Sequence, residues 1–228
     1  MNPGTGVAAQ ARNPIIRWEW IVDEWDQIQE ALIQHLELTF LSVALGMVVA
    51  AVLSATALRF RRLATPITGF TGFLYTIPSV ALFGLLVPTF GLGRTAAVLP
   101  LAAYTLLILV TNTMAGFDAV SPAVRDAADG MGLTPVQRVL KVELPLALPY
   151  IITGLRIAVV STVGLVTVAA IIGQGGLGSL ILDGLQRTFW TPMTVGAVLS
   201  ILLALVLDGL LYLAGRLATP WSSRVRTR

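Results

Sequence analysis

The side chains that carry most enzyme chemistry are scarce in this sequence. It contains no cysteine and a single histidine, His35, which excludes a disulfide, a thiol nucleophile and a Cys-ligated metal site. Serines are present, but His35 precedes the first apolar segment and no second base lies within a helix, which argues against an intramembrane hydrolase. We therefore expect no catalytic residue, no metal site and no cofactor in this chain.

One glycine-rich segment, Gly173–Gly178, has the composition of a phosphate-binding loop, since the backbone N–H groups of such loops can bind phosphate oxygens. However, no Lys-Ser or Lys-Thr pair follows at the spacing of a nucleotide-binding loop, and no strand precedes it. We expect instead a compact re-entrant turn that packs on neighbouring helices, and a chain without an ATPase site of its own.

The composition indicates that most of the chain lies in lipid. Hydrophobic residues make up 56% and charged residues 12%, whereas soluble domains carry about 25% charged residues. A net charge of +3 does not suit a nucleic-acid-binding face. Because a spanning helix needs roughly 20 apolar residues, the sequence predicts an all-α polytopic membrane protein with about five transmembrane helices. The predicted spans are 38–58, 66–88 (interrupted by Pro78 and Pro88), 95–117, 150–172 and 192–214.

The basic residues orient these spans, because Lys and Arg are retained on the cytoplasmic side of a membrane. An odd number of spans places the two termini on opposite sides. With the C-terminus inside, eleven of the 15 basic residues are cytoplasmic, and those left outside are Arg12, Arg17, Arg94 and Arg187. The sequence therefore predicts an extracytoplasmic N-terminus, a membrane domain over 36–217 and a basic cytoplasmic tail over 218–228.

Residues 1–35 are predicted to form an extracytoplasmic tail that contains an amphipathic helix, with residues 1–14 disordered. Apolar side chains recur in this tail at helical spacing: Trp18, Ile21, Val22, Trp25, Ile28 and Leu32. We expect this helix to lie on the outer leaflet with its indoles at the headgroups. A solvated lead-in to the first span is the alternative.

The segment 118–145 is the only long polar stretch between predicted spans, and it carries signals for two short helices. Ser121-Pro122 and Thr134-Pro135 are both typical of a helix start. Gly132 permits a sharp left-handed turn between the two helices. Pro145 and Pro149 are predicted to end the second helix and to turn the chain back into the membrane.

Each of these short helices has an apolar stripe. The first stripe is formed by Val124, Ala127, Ala128 and Met131, and the second by Val136, Val139 and Leu140. We interpret the pair as a rigid docking element, in which Ala127 and Ala128 allow the close approach of a partner protein. An amphipathic loop on the membrane surface is the alternative.

A longer motif covers this segment: Asp126-Ala127-Ala128, then Gly132 six residues after Asp126, then Val142-Glu143-Leu144-Pro145 ten residues later. It resembles the EAA loop of permease subunits of binding-protein-dependent (type I) ABC importers, with Asp126 and Val142 replacing the usual glutamate and isoleucine. The resemblance implies a coupling helix that enters a cleft in a cytoplasmic ABC ATPase subunit. The residues it implies for coupling are Asp126, Ala127, Ala128, Met131, Gly132, Val142, Leu144 and Pro145.

Four further segments are similar to the osmoprotectant branch of these permeases, which import glycine betaine, choline, carnitine or related quaternary amines. They are Thr76–Leu82, Asn112-Thr113 with Gly116, Met131–Pro135 and Ile172–Gly178. The resemblance implies a bacterial inner-membrane permease that couples ATPase closure to alternating access. The implied partners are two ATPase subunits that bind ATP and Mg, a second permease copy or paralogue, and an extracytoplasmic substrate-binding protein. An importer of another small solute, such as an amino acid or ergothioneine, and a secondary transporter or channel are the alternatives.

Uncharged polar and aromatic side chains are the candidates for a solute path: Tyr75, Thr76, Ser79, Asn112 and Gln174. An aromatic face would attract a quaternary ammonium ion by cation–π interaction, and spans two and three offer Phe73, Tyr75, Phe83 and Tyr104 for this purpose. Asn112 lies within a span and needs a hydrogen-bond partner, which would simply be another helix if the residue has no role on the path.

Asp208 is the acidic residue inside the fifth span, where a charge is unfavourable in contact with lipid. We expect a structural ion pair with Arg216 or Arg156 near the cytoplasmic boundary. A role on the transport path is the alternative.

Overall fold

The computed structural model describes residues 14–221, and these residues form helices and no strand. The first 13 residues of the predicted tail and residues 222–228 of the predicted basic tail lie outside the described range. The helices are α1 Trp18–Asp23, α2 Trp25–Arg59, α3 Ala64–Thr76, α4 Ser79–Phe90, α5 Arg94–Asp118, α6 Pro122–Gly130, α7 Pro135–Arg138, α8 Leu144–Val168, α9 Leu177–Gln186 and α10 Trp190–Ala218.

Four stretches of the described chain are long and apolar enough to cross a membrane, and they are Trp25–Arg59, Arg94–Asp118, Pro135–Ile172 and Trp190–Ala218. A fifth span results if Arg61–Thr76 and Ser79–Phe90 are counted together. The prediction of an all-α membrane protein with about five spans is therefore confirmed.

The second span is broken at Ile77-Pro78, where the two helices are bent by 92°. Ile77 and Pro78 both have extended backbone, with ψ angles of 128° and 132°. Pro78 cannot donate a helical hydrogen bond, and it disfavours helical backbone in the residue before it. Pro88, in contrast, stays inside α4.

Helix α2 begins at Trp25, well before the predicted start of the first span at residue 38. The prediction began the span directly after Glu37, and three polar side chains, each with at least one partner, lie just before that point, at 34, 35 and 37. Gln34 Oε1 accepts from the Gly176 N–H at 3.0 Å, His35 Nε2 lies 3.1 Å from the Val163 carbonyl oxygen, and Glu37 pairs with Arg94 at 2.7 Å. The helix continues through these residues although His35 Nδ1 is buried without a hydrogen-bond partner among the described residues.

Helix α1 and the first turns of α2 are covered by the rest of the chain on one face only. Ile28 and Ala31 are buried in a cluster with Leu177 and Leu180, to which Ile21 and Leu32 also contribute. Trp18, Val22 and Trp25 remain exposed. Half of the predicted apolar stripe is thus covered by protein, while its indoles at 18 and 25 stay at the surface.

The chain divides into two compact units, each with its own apolar core. One unit comprises the described residues of 1–42, 78–101 and 162–204, and its core contains Leu38, Phe83 and Leu101. The other comprises those of 43–77, 102–161 and 205–228, and its core contains Leu106, Val110 and Met114.

The prediction that Pro145 and Pro149 end the second loop helix is wrong. A π-helical turn over Val139–Glu143 joins α7 to α8, and both prolines lie within the first turns of α8. An inserted π-turn accommodates a proline by shifting the local hydrogen-bond register. Helix α9, between the fourth and fifth spans, was not predicted at all.

Candidate functional site

The loop 118–145 folds into the two predicted short helices. Thr134 caps α7 with a reciprocal pair of hydrogen bonds: its hydroxyl accepts from the Gln137 N–H at 3.3 Å, and Gln137 Oε1 accepts from the Thr134 N–H at 3.0 Å. Ser121 precedes α6 but makes no side-chain capping bond. Gly132 has a φ of 76°, which confirms the predicted left-handed turn.

A cluster of charged side chains fixes this loop. Glu143 is 6% exposed, accepts from Arg138 Nε at 2.9 Å and lies 3.7 Å from Arg125 Nε. Arg138 also donates to both carboxylate oxygens of Asp129, at 2.8 and 2.6 Å. Arg125 donates to the Phe117 carbonyl at 2.7 Å. These bonds tie α6, α7 and the π-helical turn together and fasten α6 to the end of α5.

An apolar patch remains on the outside of the loop. Met131 is 72% exposed and Val136 is 68% exposed, and both belong to the predicted stripes. We define the apolar patch as Val124, Ala127, Met131, Val136 and Leu140, all of which are exposed. Large apolar side chains that are held exposed in this way mark a surface that contacts another protein or the membrane.

The structure corrects the predicted role of Ala128 as a partner contact. Ala128 is 1% exposed, so its methyl group packs inside this chain, whereas its neighbour Ala127 is exposed. Periodicity placed both residues on an apolar stripe, but only one edge of that stripe faces outward. A charge at position 128 would therefore disrupt the loop itself rather than a partner contact.

The other predicted coupling residues differ in accessibility. Asp126 and Gly132 are exposed, and Val142, Leu144 and Pro145 are half-buried. Val142 lies in the π-helical turn, and the other two open α8. The C-terminal part of the motif thus belongs to the connection between the loop and the fourth span, while Met131 and Ala127 belong to its outer surface.

Sequence reasoning assigned no role to Arg125, Asp129, Arg138 or Glu143, although Glu143 stands within the quoted motif. A signal was present, because Glu143 is an acidic residue at the start of an apolar run, five residues after Arg138. A carboxylate in that position is rarely buried without a cationic partner.

Among the solute-path candidates, Tyr75 and Thr76 lie at the end of α3. Tyr75 makes an edge-to-face contact with Tyr104, with ring centroids 5.8 Å apart and planes at 72°. The Tyr104 hydroxyl donates to the Ile77 carbonyl. Thr76 Oγ1 donates to the Phe73 carbonyl at 2.7 Å.

The remaining path candidates lie in three other elements of the chain. Ser79 begins α4, and Gln174 lies in the glycine turn, Gly173–Gly178; both are half-buried. Asn112 Nδ2 donates to the Ile108 carbonyl of its own helix at 2.8 Å, so this bond does not reach another helix. Asn112 instead packs against Gly154, where an added Cβ would lie 2.6 Å from the Asn112 Cβ.

The ion pair expected for Asp208 is confirmed, and its partner is Arg156. Arg156 Nε and Nη2 donate to the two carboxylate oxygens at 2.8 and 2.7 Å. The guanidinium also lies 5.1 Å from the centre of the Tyr212 ring. Two parallel bonds and an aromatic contact hold α8 to α10, which supports a structural role.

The glycine turn is compact and packs on neighbouring helices, as predicted. Gly176 has a φ of 49°, and a Cβ there would lie 2.7 Å from backbone atoms of His35. A Cβ at Gly178 would lie 2.3 Å from the Thr167 carbonyl oxygen. His35 itself is fully buried against this turn. The absence of a side chain at Gly176 and Gly178 therefore allows the backbone of the turn to pack directly against the backbone of His35 and Thr167.

Comparison with known proteins identifies a family and several relatives. Residues 42–218 match the family described as binding-protein-dependent transport system inner membrane component. The chain is 40% identical to the osmoprotectant import permease protein OsmW of Salmonella typhimurium over 206 residues, covering 88% of this chain and 96% of the relative. It is 35% identical to the choline transport system permease protein OpuBB of Bacillus subtilis over 187 residues, covering 82% of this chain and 86% of the relative.

A solved structure shares the fold. An amino acid ABC transporter chain superposes with a TM-score of 0.75 at 20% identity, covering 88% of this chain and 98% of that chain. At this identity the similarity establishes the fold alone.

Proposed function

The chain belongs to the family of inner-membrane components of binding-protein-dependent transport systems, and we propose that it is the permease subunit of an ATP-driven importer of small quaternary amines. It is a multi-pass inner-membrane protein. The observation that carries the proposal is the apolar patch, which a salt-bridged scaffold holds exposed on the loop 118–145. Such a surface fits the cleft of a cytoplasmic ATPase subunit, which would bind ATP and Mg in place of this chain.

The charged cluster gives this surface a mechanical connection to the spans. Arg138 and Glu143 join α7 to the π-helical turn that opens the fourth span, and Arg125 joins α6 to the Phe117 carbonyl in the third span. When ATP-driven closure of the ATPase pair displaces α6 and α7, α5 and α8 follow as levers. Their tilting alternates the access of the solute path between the two faces of the membrane.

The remaining partners follow from the topology. Five spans do not enclose a solute path alone, so a second copy or a paralogous permease completes it. The excess of basic residues on one side places the C-terminus in the cytoplasm and the N-terminus outside. An extracytoplasmic binding protein delivers the solute on the outer side.

The solute class is supported by the relatives, whose names refer to osmoprotectant and choline transport. Choline, carnitine and glycine betaine share a quaternary ammonium group. A binding protein selects among these solutes, and the permease provides a path that tolerates the shared group.

The test is reconstitution of the chain with its ATPase and binding protein in proteoliposomes. Choline and glycine betaine uptake should require ATP and stimulate its hydrolysis. Met131→Asp should abolish uptake and the stimulated hydrolysis, because a charge in the apolar patch would be desolvated in the partner's cleft. Met131 is 72% exposed, so its replacement should leave thermal stability within about 0.5 kcal/mol.

Met131→Leu is the matched control, since it keeps an apolar side chain of similar volume, and it should transport normally. Uptake that proceeds without ATP would contradict the proposal in favour of a secondary transporter or channel. Coupled uptake of an amino acid, with neither amine transported, would contradict the proposed solute class alone.

A further inference from the structure

The break at Ile77-Pro78 lies at a position where irregular backbone is normally unfavourable. It falls in the middle of the predicted span 66–88, and its backbone is extended. In hydrocarbon, every backbone polar group needs a partner, so a non-helical segment is tolerated only where protein covers it or where it faces water.

Protein of this chain covers the break only in part. The Tyr104 hydroxyl donates to the Ile77 carbonyl, and the Ile77 N–H donates to the Leu74 carbonyl at 3.3 Å. Thr76 and Pro78 nevertheless remain exposed. Lipid supplies no hydrogen-bond partner, so we expect the break to face a further protein chain or water.

An aromatic ring stands beside this break. Tyr75 is 43% exposed, and it is held from within by Tyr104, which is 6% exposed. Tyr104 thus serves two groups, because it contacts the Tyr75 ring and bonds the carbonyl at the break. The C-terminal end of α3 adds partial negative charge at the same place, since the carbonyl groups of the last turn point toward it.

A negative helix end beside a partly exposed aromatic ring suits a cation that has no hydrogen-bond donor. A quaternary ammonium ion cannot donate to a carbonyl, but it interacts with the face of a π-system and with the field of a helix terminus. A Lys or Arg side chain at this place would repel it, and none of residues 63–93 is charged.

We propose that Tyr75 lines the solute path and binds the passing quaternary ammonium group through its ring, with Tyr104 as a positioning residue. This inference rests on the proposed function, because it assumes that the chain transports such cations. It adds a residue that selects for the class of solute inside the membrane, independently of the binding protein.

The experiment replaces Tyr75 with phenylalanine and with its mono-, di- and trifluorinated forms in the reconstituted importer. Fluorination withdraws charge from the ring face while it nearly preserves the shape of the ring. Choline and glycine betaine uptake at subsaturating solute should fall stepwise along the series, by about 2- to 30-fold in total.

Phe73 provides the matched control, because it is an exposed aromatic residue on another face of the same helix. The same series at position 73 should leave uptake unchanged. Tyr104→Phe should lower uptake and flatten the fluorination series at position 75, because the ring and the helix end lose their fixed arrangement.

Uptake that is indifferent to fluorination at position 75, or equally sensitive at position 73, would overturn the inference. Failure of Tyr75→Phe to assemble would overturn it as well, since the hydroxyl would then be structural. These outcomes differ from failure of the proposed function, in which the unmodified importer would transport neither amine.

Discussion

The loop 118–145 and the glycine turn were both conspicuous motifs, but they are built in opposite ways. The loop holds large apolar side chains in the open on a frame of salt bridges around Glu143. The glycine turn has no side chain at Gly176 and Gly178, so its backbone meets His35 and Thr167 directly at these two positions. One motif leaves apolar side chains exposed, and the other packs against its own chain.

This difference separates two reasons why a motif can be distinctive. In the glycine turn, glycine is required by packing at positions 175, 176 and 178, where an added Cβ would collide with backbone. In the loop, Met131 and Val136 satisfy no internal requirement, since they are mostly exposed. The proposed ATPase partner would account for their apolar character, and substitutions should then divide into folding defects in the glycine turn and coupling defects in the loop.

The largest effect is expected from Gly178→Ala in the glycine turn. The new Cβ would lie 2.3 Å from the Thr167 carbonyl oxygen and 2.5 Å from its Cα, and neither backbone atom can move aside. We expect a loss of more than about 3 kcal/mol of stability, measured as a lower melting temperature and yield in detergent.

Gly164→Ala is the control for this substitution, because nothing lies within 4 Å of the added Cβ. It should be neutral or stabilising by up to about 1 kcal/mol. Equal melting temperatures for the two variants would show that close packing does not require glycine at position 178.

A smaller effect is expected from Glu143→Ala, which leaves Arg138 and Arg125 without their shared buried carboxylate. Breaking such a cluster should cost about 2–4 kcal/mol. Because the cluster fixes the loop, amide hydrogen exchange in 122–143 should accelerate more than in the spans.

Asp118→Asn provides the comparison. Asp118 pairs with Arg61 at 2.8 Å, but both side chains are about half exposed. That variant should change stability by less than about 1 kcal/mol. A loop that exchanges at the same rate in both variants would contradict the role of Glu143 as its anchor.

The smallest effect is expected from Thr134→Ala, which removes the capping bonds of α7. The local cost should be about 1 kcal/mol, seen as faster exchange of the amide at Gln137. Ser121→Ala makes the matched control, because Ser121 has no side-chain capping bond. Similar exchange rates in the two variants would remove the distinction between the two helix starts.

The features that were predictable from the sequence depend on local chemistry. The capping residues Thr134 and Pro135, the left-handed Gly132 and the compact turn at Gly173–Gly178 each follow from residue types over a few positions. The apolar lengths of the spans follow from composition in the same way.

The features that escaped prediction depend on partners distant in the chain. The early start of α2 requires that Gln34 and His35 bond to residues more than a hundred positions away. Periodicity places Ala127 and Ala128 on one stripe, but it cannot tell which side of that stripe the chain itself covers. Pro145 looked like a helix end because the π-helical turn before it has no pattern in the sequence.

The absence of cysteine allows a direct test of the central claim, that the apolar patch is a cytoplasmic surface covered by an ATPase. A single cysteine introduced as Met131→Cys would be labelled with a membrane-impermeant maleimide in sealed vesicles of known orientation. The account predicts labelling only from the cytoplasmic face, and protection of the cysteine once the ATPase subunits are bound. Labelling from the outside, or equal labelling with and without the ATPase, would contradict it.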